Sequence, residues 1–228
     1  MSTLYRTLVL AAALATTAVL ADLGQAAIVK VHQPINAGAS SVASGREPVR
    51  TINGSGLSDP TIVETGDDIP SPWPTHSSGN SAGWFSDDGS LISDHSITFD
   101  LGVSQSVRGI HLWNWNRNGG GTQTNDGMKD AIIEFSADGS DFATIASLPL
   151  SFAQAPSSAD AGETVLLSAP VQARYVRFDV QSTFEHASNE VGRVAIAEVR
   201  FIVPEPASLS LVGIAAVALL RRRGRTAA

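Results

Sequence analysis

Ile97-Thr98-Phe99-Asp100-Leu101 alternates apolar and polar side chains, and the reading of this stretch decides the fold. A period of two lays one face of a strand on a core and turns the other outward. The pattern recurs further along the chain. Val176, Phe178 and Val180 alternate with Tyr175, Arg177 and Asp179, and Ala195, Ala197, Val199 and Phe201 share one parity. Ala131-Ile132-Ile133-Glu134-Phe135 and Phe142-Ala143-Thr144-Ile145 flank Ser136-Ala137-Asp138-Gly139-Ser140-Asp141. An Asp-Gly between two apolar runs is a hairpin signal. No long stretch of period 3.6 lies among these segments. Short strands joined by loops rich in Gly, Ser, Asp and Pro predict an all-β sandwich or jelly roll.

Both ends of the 228 residues read as processing segments. Residues 1–26 have the form of a signal peptide: Arg6, an apolar run Thr7 to Leu20, and small residues in Gly24-Gln25-Ala26. At the other end Val203-Pro204-Glu205-Pro206 precedes an apolar run Ala207 to Leu220 and then Arg221-Arg222-Arg223. Fourteen apolar residues rise about 21 Å as a helix, short of a ~30 Å hydrocarbon core. Flanking arginines extend such a span and stay cytoplasmic, which puts the preceding domain outside. The sandwich is therefore expected to be flanked by an N-terminal signal helix and a short C-terminal apolar helix.

Between Ala27 and Val203 there are ten basic and twenty acidic residues. An acidic body repels phosphate backbones, which argues against nucleic acid and leaves loop acids suited to a hard cation. The chain has no cysteine, so disulfides, thiolate catalysis and cysteine-type zinc sites are excluded.

Two resemblances follow from quoted residues. Val203-Pro204-Glu205-Pro206, the short apolar run and Arg221-Arg222-Arg223 together resemble the PEP-CTERM sorting signal. That resemblance implies an exosortase as processing partner, transient membrane insertion through residues 203–228, cleavage near Pro204-Glu205-Pro206, and a final place in the cell envelope or extracellular matrix. The series Ser96 to Gly102, Ile110-His111-Leu112-Trp113-Asn114-Trp115-Asn116, Gly127 to Ser136, Ala173 to Phe178 and Ala197 to Phe201 resembles a discoidin-like domain. This is the coagulation factor 5/8 type C class, with a galactose-binding-like jelly roll, expected over residues 49–202 after a lead-in at residues 27–48. The class implies one structural calcium ion held by an early loop and a glutamate of the last strand. Asn53 and Glu198 are the matching side chains, with Asn53 where an aspartate is common, and backbone carbonyls around Ile52 and Ser55 complete the oxygen shell.

The remaining candidates lie on loops. Trp73, His76 and Trp84 fall in the long stretch Gly54 to Asp94, and loop aromatics are suited to stacking on a sugar ring. They are the expected ligand-binding residues, with an extracellular polysaccharide or envelope glycan as partner. The five histidines are scattered without a zinc pattern, and no nucleophile elbow or phosphate loop appears. A non-catalytic binding or structural module is the first expectation. A glycan- or ester-directed hydrolase using Asp67, Asp68, Asp87, Asp88 or Asp94, and a protein-adhesion module, are the alternatives.

Overall fold

A computed structural model describes residues 28–78, 82–117, 123–142 and 146–205. Residues Val29–Pro204 form one compact unit. The other unit takes in both ends, and the expected signal helix, apolar helix, Pro206 and Arg221 to Arg223 lie outside the described residues. Pro204 closes the last strand and Glu205 follows it. Among the described residues no helix is long and apolar enough to cross a membrane.

Among the described residues eight strands make the body: β1 (Val29–His32), β2 (Asn36–Ala39), β3 (Trp84–Phe85), β4 (Ser96–Asn114), β5 (Met128–Ser136), β6 (Ala146–Ser151), β7 (Glu163–Thr183) and β8 (Ala195–Pro204). The hydrogen-bonded order is β1-β8-β4-β7-β5-β6, with β2 on β4 and β3 on β8, and every pairing is antiparallel. β4 and β7 are long enough to serve both layers of the sandwich. Ser96–Asp100 pairs with Tyr175–Asp179, whereas Gly109–Leu112 pairs with Glu163–Leu166. Register shifts between Asp100 and Gln105 and between Val107 and Gly109 bend the pair from one layer into the other.

The decisive alternation behaves as the period requires. Ile97, Phe99 and Leu101 are buried, and Phe99 meets Phe178 and Phe201 edge-on at centroid distances of 5.1 and 5.7 Å. Ile110, Leu112, Ile133, Phe135, Val176 and Val199 complete the core between the layers. On the other face, Arg174 grips the Asp100 carboxylate with two nitrogens at 2.9 and 3.0 Å. That pairing holds the bend, where Gly102 takes φ +82° and its N–H donates to Asp100.

The hairpin predicted around Asp138-Gly139 joins β5 to β6. Asp138 Oδ1 accepts from the amides of Ser140 and Asp141, and Gly139 takes φ +81°. The second strand starts at Ala146, later than Phe142. Ala143 to Ile145 lie outside the described residues. Two short strands come from the lead-in at 27–48: β1 extends the β8 edge and β2 extends the β4 edge.

Candidate functional site

The long stretch before β4 is ordered mainly by what it covers. Residues 53–76 lie over the outward face of β4 and β8, where His111, Trp113, Glu198 and Arg200 project. Trp73 stacks on His111 at 3.7 Å and meets Trp113 edge-on at 5.6 Å. The Trp113 indole N–H donates to the Pro74 carbonyl at 2.8 Å, and Arg200 Nε donates to the Val63 carbonyl at 2.8 Å. His111 is hydrogen-bonded on both sides, to the Ala161 carbonyl through Nε2 at 2.9 Å and to Thr164 Oγ1 through Nδ1 at 2.7 Å. A carbonyl only accepts, so the proton sits on Nε2 and the Thr164 hydroxyl donates to Nδ1. Burial pushes the imidazole down to about 3, and Arg200 adds to that shift.

Three expected ligand-binding residues are thereby placed. Trp73 is half-buried in this cluster. His76 is buried, with its ring nitrogens facing the carbonyls of Ser55 and Ser77 and its backbone bonded to Asp160. The expectation for Trp84 is corrected. Trp84 forms β3 instead of a loop, pairs with Ile196, is 0% exposed, and donates its indole N–H to the Ser41 carbonyl at 2.9 Å. Gly83 permits that approach, since a Cβ there would stand 2.4 Å from the Ile196 carbonyl oxygen. A side chain sealed in this way has no face to offer a sugar.

The expected calcium loop and Glu198 do meet: the Gly54 N–H donates to Glu198 Oε1 at 3.0 Å. A cation already occupies the carboxylate, however. Arg200 donates to the same oxygen, and both side chains are buried. Of the oxygens that would form an ion's shell, Glu198 Oε2 is buried without a hydrogen-bond partner among the described residues, while others face protein donors. Asn53 Oδ1 accepts from Ser55 N, the Ile52 carbonyl from Gln33 Nε2, and the Ser55 carbonyl faces His76 Nε2. Burial pushes the Glu198 carboxyl up, with Arg200 and the Gly54 amide opposing. A dication added to this pair would leave excess buried positive charge, and among the described residues no group of three His, Asp or Glu is placed to offset it. In this arrangement Arg200 already balances the Glu198 charge, and Oε2 is the carboxylate oxygen left without a partner.

Four of the five candidate loop acids are engaged or placed separately, and the fifth, Asp87, has a buried Oδ1 with no hydrogen-bond partner among the described residues. Asp67 accepts from the Glu64 amide, Asp68 pairs with Lys30, Asp88 pairs with Arg193, and Asp94 lies in a separate 3-10 turn before β4.

A pocket opens elsewhere. The chain leaving β4 and the chains entering β5 and β8 meet at one end of the sandwich, where Gly127 bridges to Ala195. There Arg46, Phe85, Arg117, Gln123, Asp126 and Arg193 line a pocket of about 260 Å³. Phe85 is fixed edge-on against Trp115 at 4.6 Å, and the Arg46 guanidinium lies 5.9 Å from both ring centroids. Desolvation lowers the Arg46 pKa, and the nearby charges of Arg117 and Arg50 lower it further. Asp126 is pushed up by burial and by Glu185, against the pull of Arg193 and His186. The Arg193 guanidinium reaches Asp88 at 2.5 Å.

With this geometry in view, residues 68–199 match the F5/8 type C domain. The chain belongs to that family. The matched stretch runs from within the covering loop to β8 and includes Phe85, Arg117, Asp126 and Arg193. Among curated proteins none matches the chain. Solved structures similar to this F5/8 type C chain include a His 62 mutant of the lectin binding domain of lectinolysin complexed with Lewis b. It shares 16% identity over 75% of this chain and 92% of that one, with a TM-score of 0.47. The CBM32 of AlyQ in complex with 4,5-unsaturated mannuronic acid shares 20% identity over 75% and 96%, with a TM-score of 0.44. The family 32 CBM from C. perfringens NanJ in complex with galactose shares 13% over 73% and 92%, with a TM-score of 0.43.

The pocket's arginines and Phe85 escaped the sequence reading. No local pattern marks Arg46, Arg117 or Arg193, which stand in three separate connections. The one available signal was a shortage: with ten bases against twenty acids, each loop arginine was worth placing.

Proposed function

We propose that this F5/8 type C domain is a non-catalytic carbohydrate-binding module whose ligand enters the end pocket, and that it works outside the cell after export and tail-directed sorting by an exosortase-type enzyme. The observation that carries the binding assignment is the pocket of about 260 Å³ with an aromatic wall and convergent polar groups. A sugar presents apolar C–H faces and a rim of hydroxyls. Phe85, largely buried, offers the first a small apolar patch, and the arginines, Gln123 and Asp126 offer the second donors and acceptors. Ligand pockets of about 300–1,000 Å³ bury most of a drug-sized molecule. This smaller one suits a terminal residue or side group of a longer glycan. The separate placement of four of the five loop acids supports binding over hydrolysis.

The test is an oligosaccharide array followed by titration calorimetry of the whole chain and of Arg117→Gln. Saturable binding of an oligosaccharide, weakened about tenfold or more by the substitution, supports the assignment. A folded chain that binds no glycan, or binds equally well without Arg117, overturns it.

A further inference from the structure

We infer that the sugar taken by the end pocket is acidic, carrying a carboxylate or sulfate that the three arginines receive. This rests on the glycan reading of the same pocket.

The inference comes from how charge is distributed. The body between Ala27 and Val203 has twice as many acids as bases, and of the seven bases outside the pocket five stand beside matching acids. Lys30 pairs with Asp68, Arg50 with Glu47, Arg174 with Asp100, Arg177 with Glu134 and Arg200 with Glu198. At the pocket the ratio reverses: Arg46, Arg117 and Arg193 share its walls with one carboxylate, Asp126. Three of the ten bases thus converge on a single small cavity of an acidic body.

The partial neutralisation present does not close that gap. Arg193 pairs with Asp88, whose side chain is 67% exposed, so water and salt screen the pair. Arg117 has no ion pair among the described residues. Arg46 lies close enough to Arg117 for the two charges to repel, while its place over Phe85 and Trp115 keeps it there. Arg46 and Arg117, like charges held near one another at the pocket wall, create a positive potential that an incoming anion relieves. Guanidinium forks match planar carboxylates and the oxygens of sulfate esters. A neutral sugar would use the same donors for its hydroxyls but would leave the excess charge standing.

The experiment is calorimetry of the whole chain with four probes: trigalacturonate, its methyl ester, neutral galactotriose and a sulfated galacto-oligosaccharide. Acidic probes are expected to bind about tenfold or more tightly than the methyl ester, with the advantage shrinking as salt rises. Arg117→Gln is expected to erase that preference. Arg193→Gln, at an exposed position, gives a second reading should the first variant fail to fold. Preference for the sulfated probe alone keeps the acidic assignment and identifies a sulfate as its source. Neutral and acidic probes binding alike overturn the acidic assignment and leave the glycan reading intact. Binding of none of the four, with the array silent as well, overturns both.

Discussion

His111→Gln tests the buried polar layer that binds the long loop to the sheet. The native ring is neutral, with burial holding its pKa near 3 against an ordinary 6.5. The folded-state value is depressed, so the unfolded chain takes up the proton first as pH falls. Stability is complete above the unfolded value and drains away on acidification from 6.5 toward 3. The loss runs at about 1.4 kcal/mol per pH unit, so the native state gives up about 3 kcal/mol between pH 8 and pH 4.5 through this one group. Glutamine cannot be protonated there, and the variant does not suffer that loss. At pH 8 the variant should be less stable by about 1–3 kcal/mol, since it forfeits the Trp73 stack and weakens the bonds to Ala161 and Thr164. Urea unfolding at half-unit pH steps should show the gap narrowing by about 2–3 kcal/mol on going to pH 4.5. The lowered pKa values of His32 and His76 act in the same direction but belong to both proteins and cancel in the difference. A gap independent of pH, or a His111 ring titrating near 6.5 by NMR, would refute the reasoning.

Other outcomes are equally specific. Arg200→Met strands the Glu198 carboxylate in a buried site and should cost about 3–5 kcal/mol in urea unfolding, whereas Arg200→Met with Glu198→Leu should recover most of it. A double variant as unstable as the single one would count against the pair. If Arg200 alone balances Glu198, neither calcium nor chelator should move the melting temperature, and a clear rise with calcium would assign Glu198 Oε2 to an ion. Trp84→Ala should destabilise by about 3–5 kcal/mol, seen as a lower urea midpoint, and an unchanged midpoint with weakened glycan binding would restore Trp84 as a ligand contact.

What the sequence made legible follows the reach of each signal. Ile97, Phe99 and Leu101 announced their face because alternation is local, and the Asp138-Gly139 turn announced the hairpin for the same reason. The bend in β4 was harder to read, since a strand of 19 residues serving two layers looks in sequence like two strands with a loop. Trp84 misled because two strand residues amid Pro, Gly and Ser carry too little pattern to be told from a loop. Glu198 does meet the 53–57 loop, but the pairing of its Oε1 with Arg200, two residues on along the same strand face, was not read from the sequence. The pocket was the least legible part. Residues 46, 85, 117, 126 and 193 are gathered by the antiparallel order of β4 and β8, and no spacing along the chain encodes that meeting.

The central claim is that ligand binds at the arginine-lined end of the sandwich, and amide chemical-shift mapping of the isotope-labelled chain during titration with trigalacturonate tests it most directly. The account predicts saturable shifts clustered at Ser44, Arg46, Phe85, Arg117, Asp126 and Arg193, with the amides of Trp73, His76 and His111 unmoved. Shifts centred on Trp73 and His76, with the pocket silent, would contradict it.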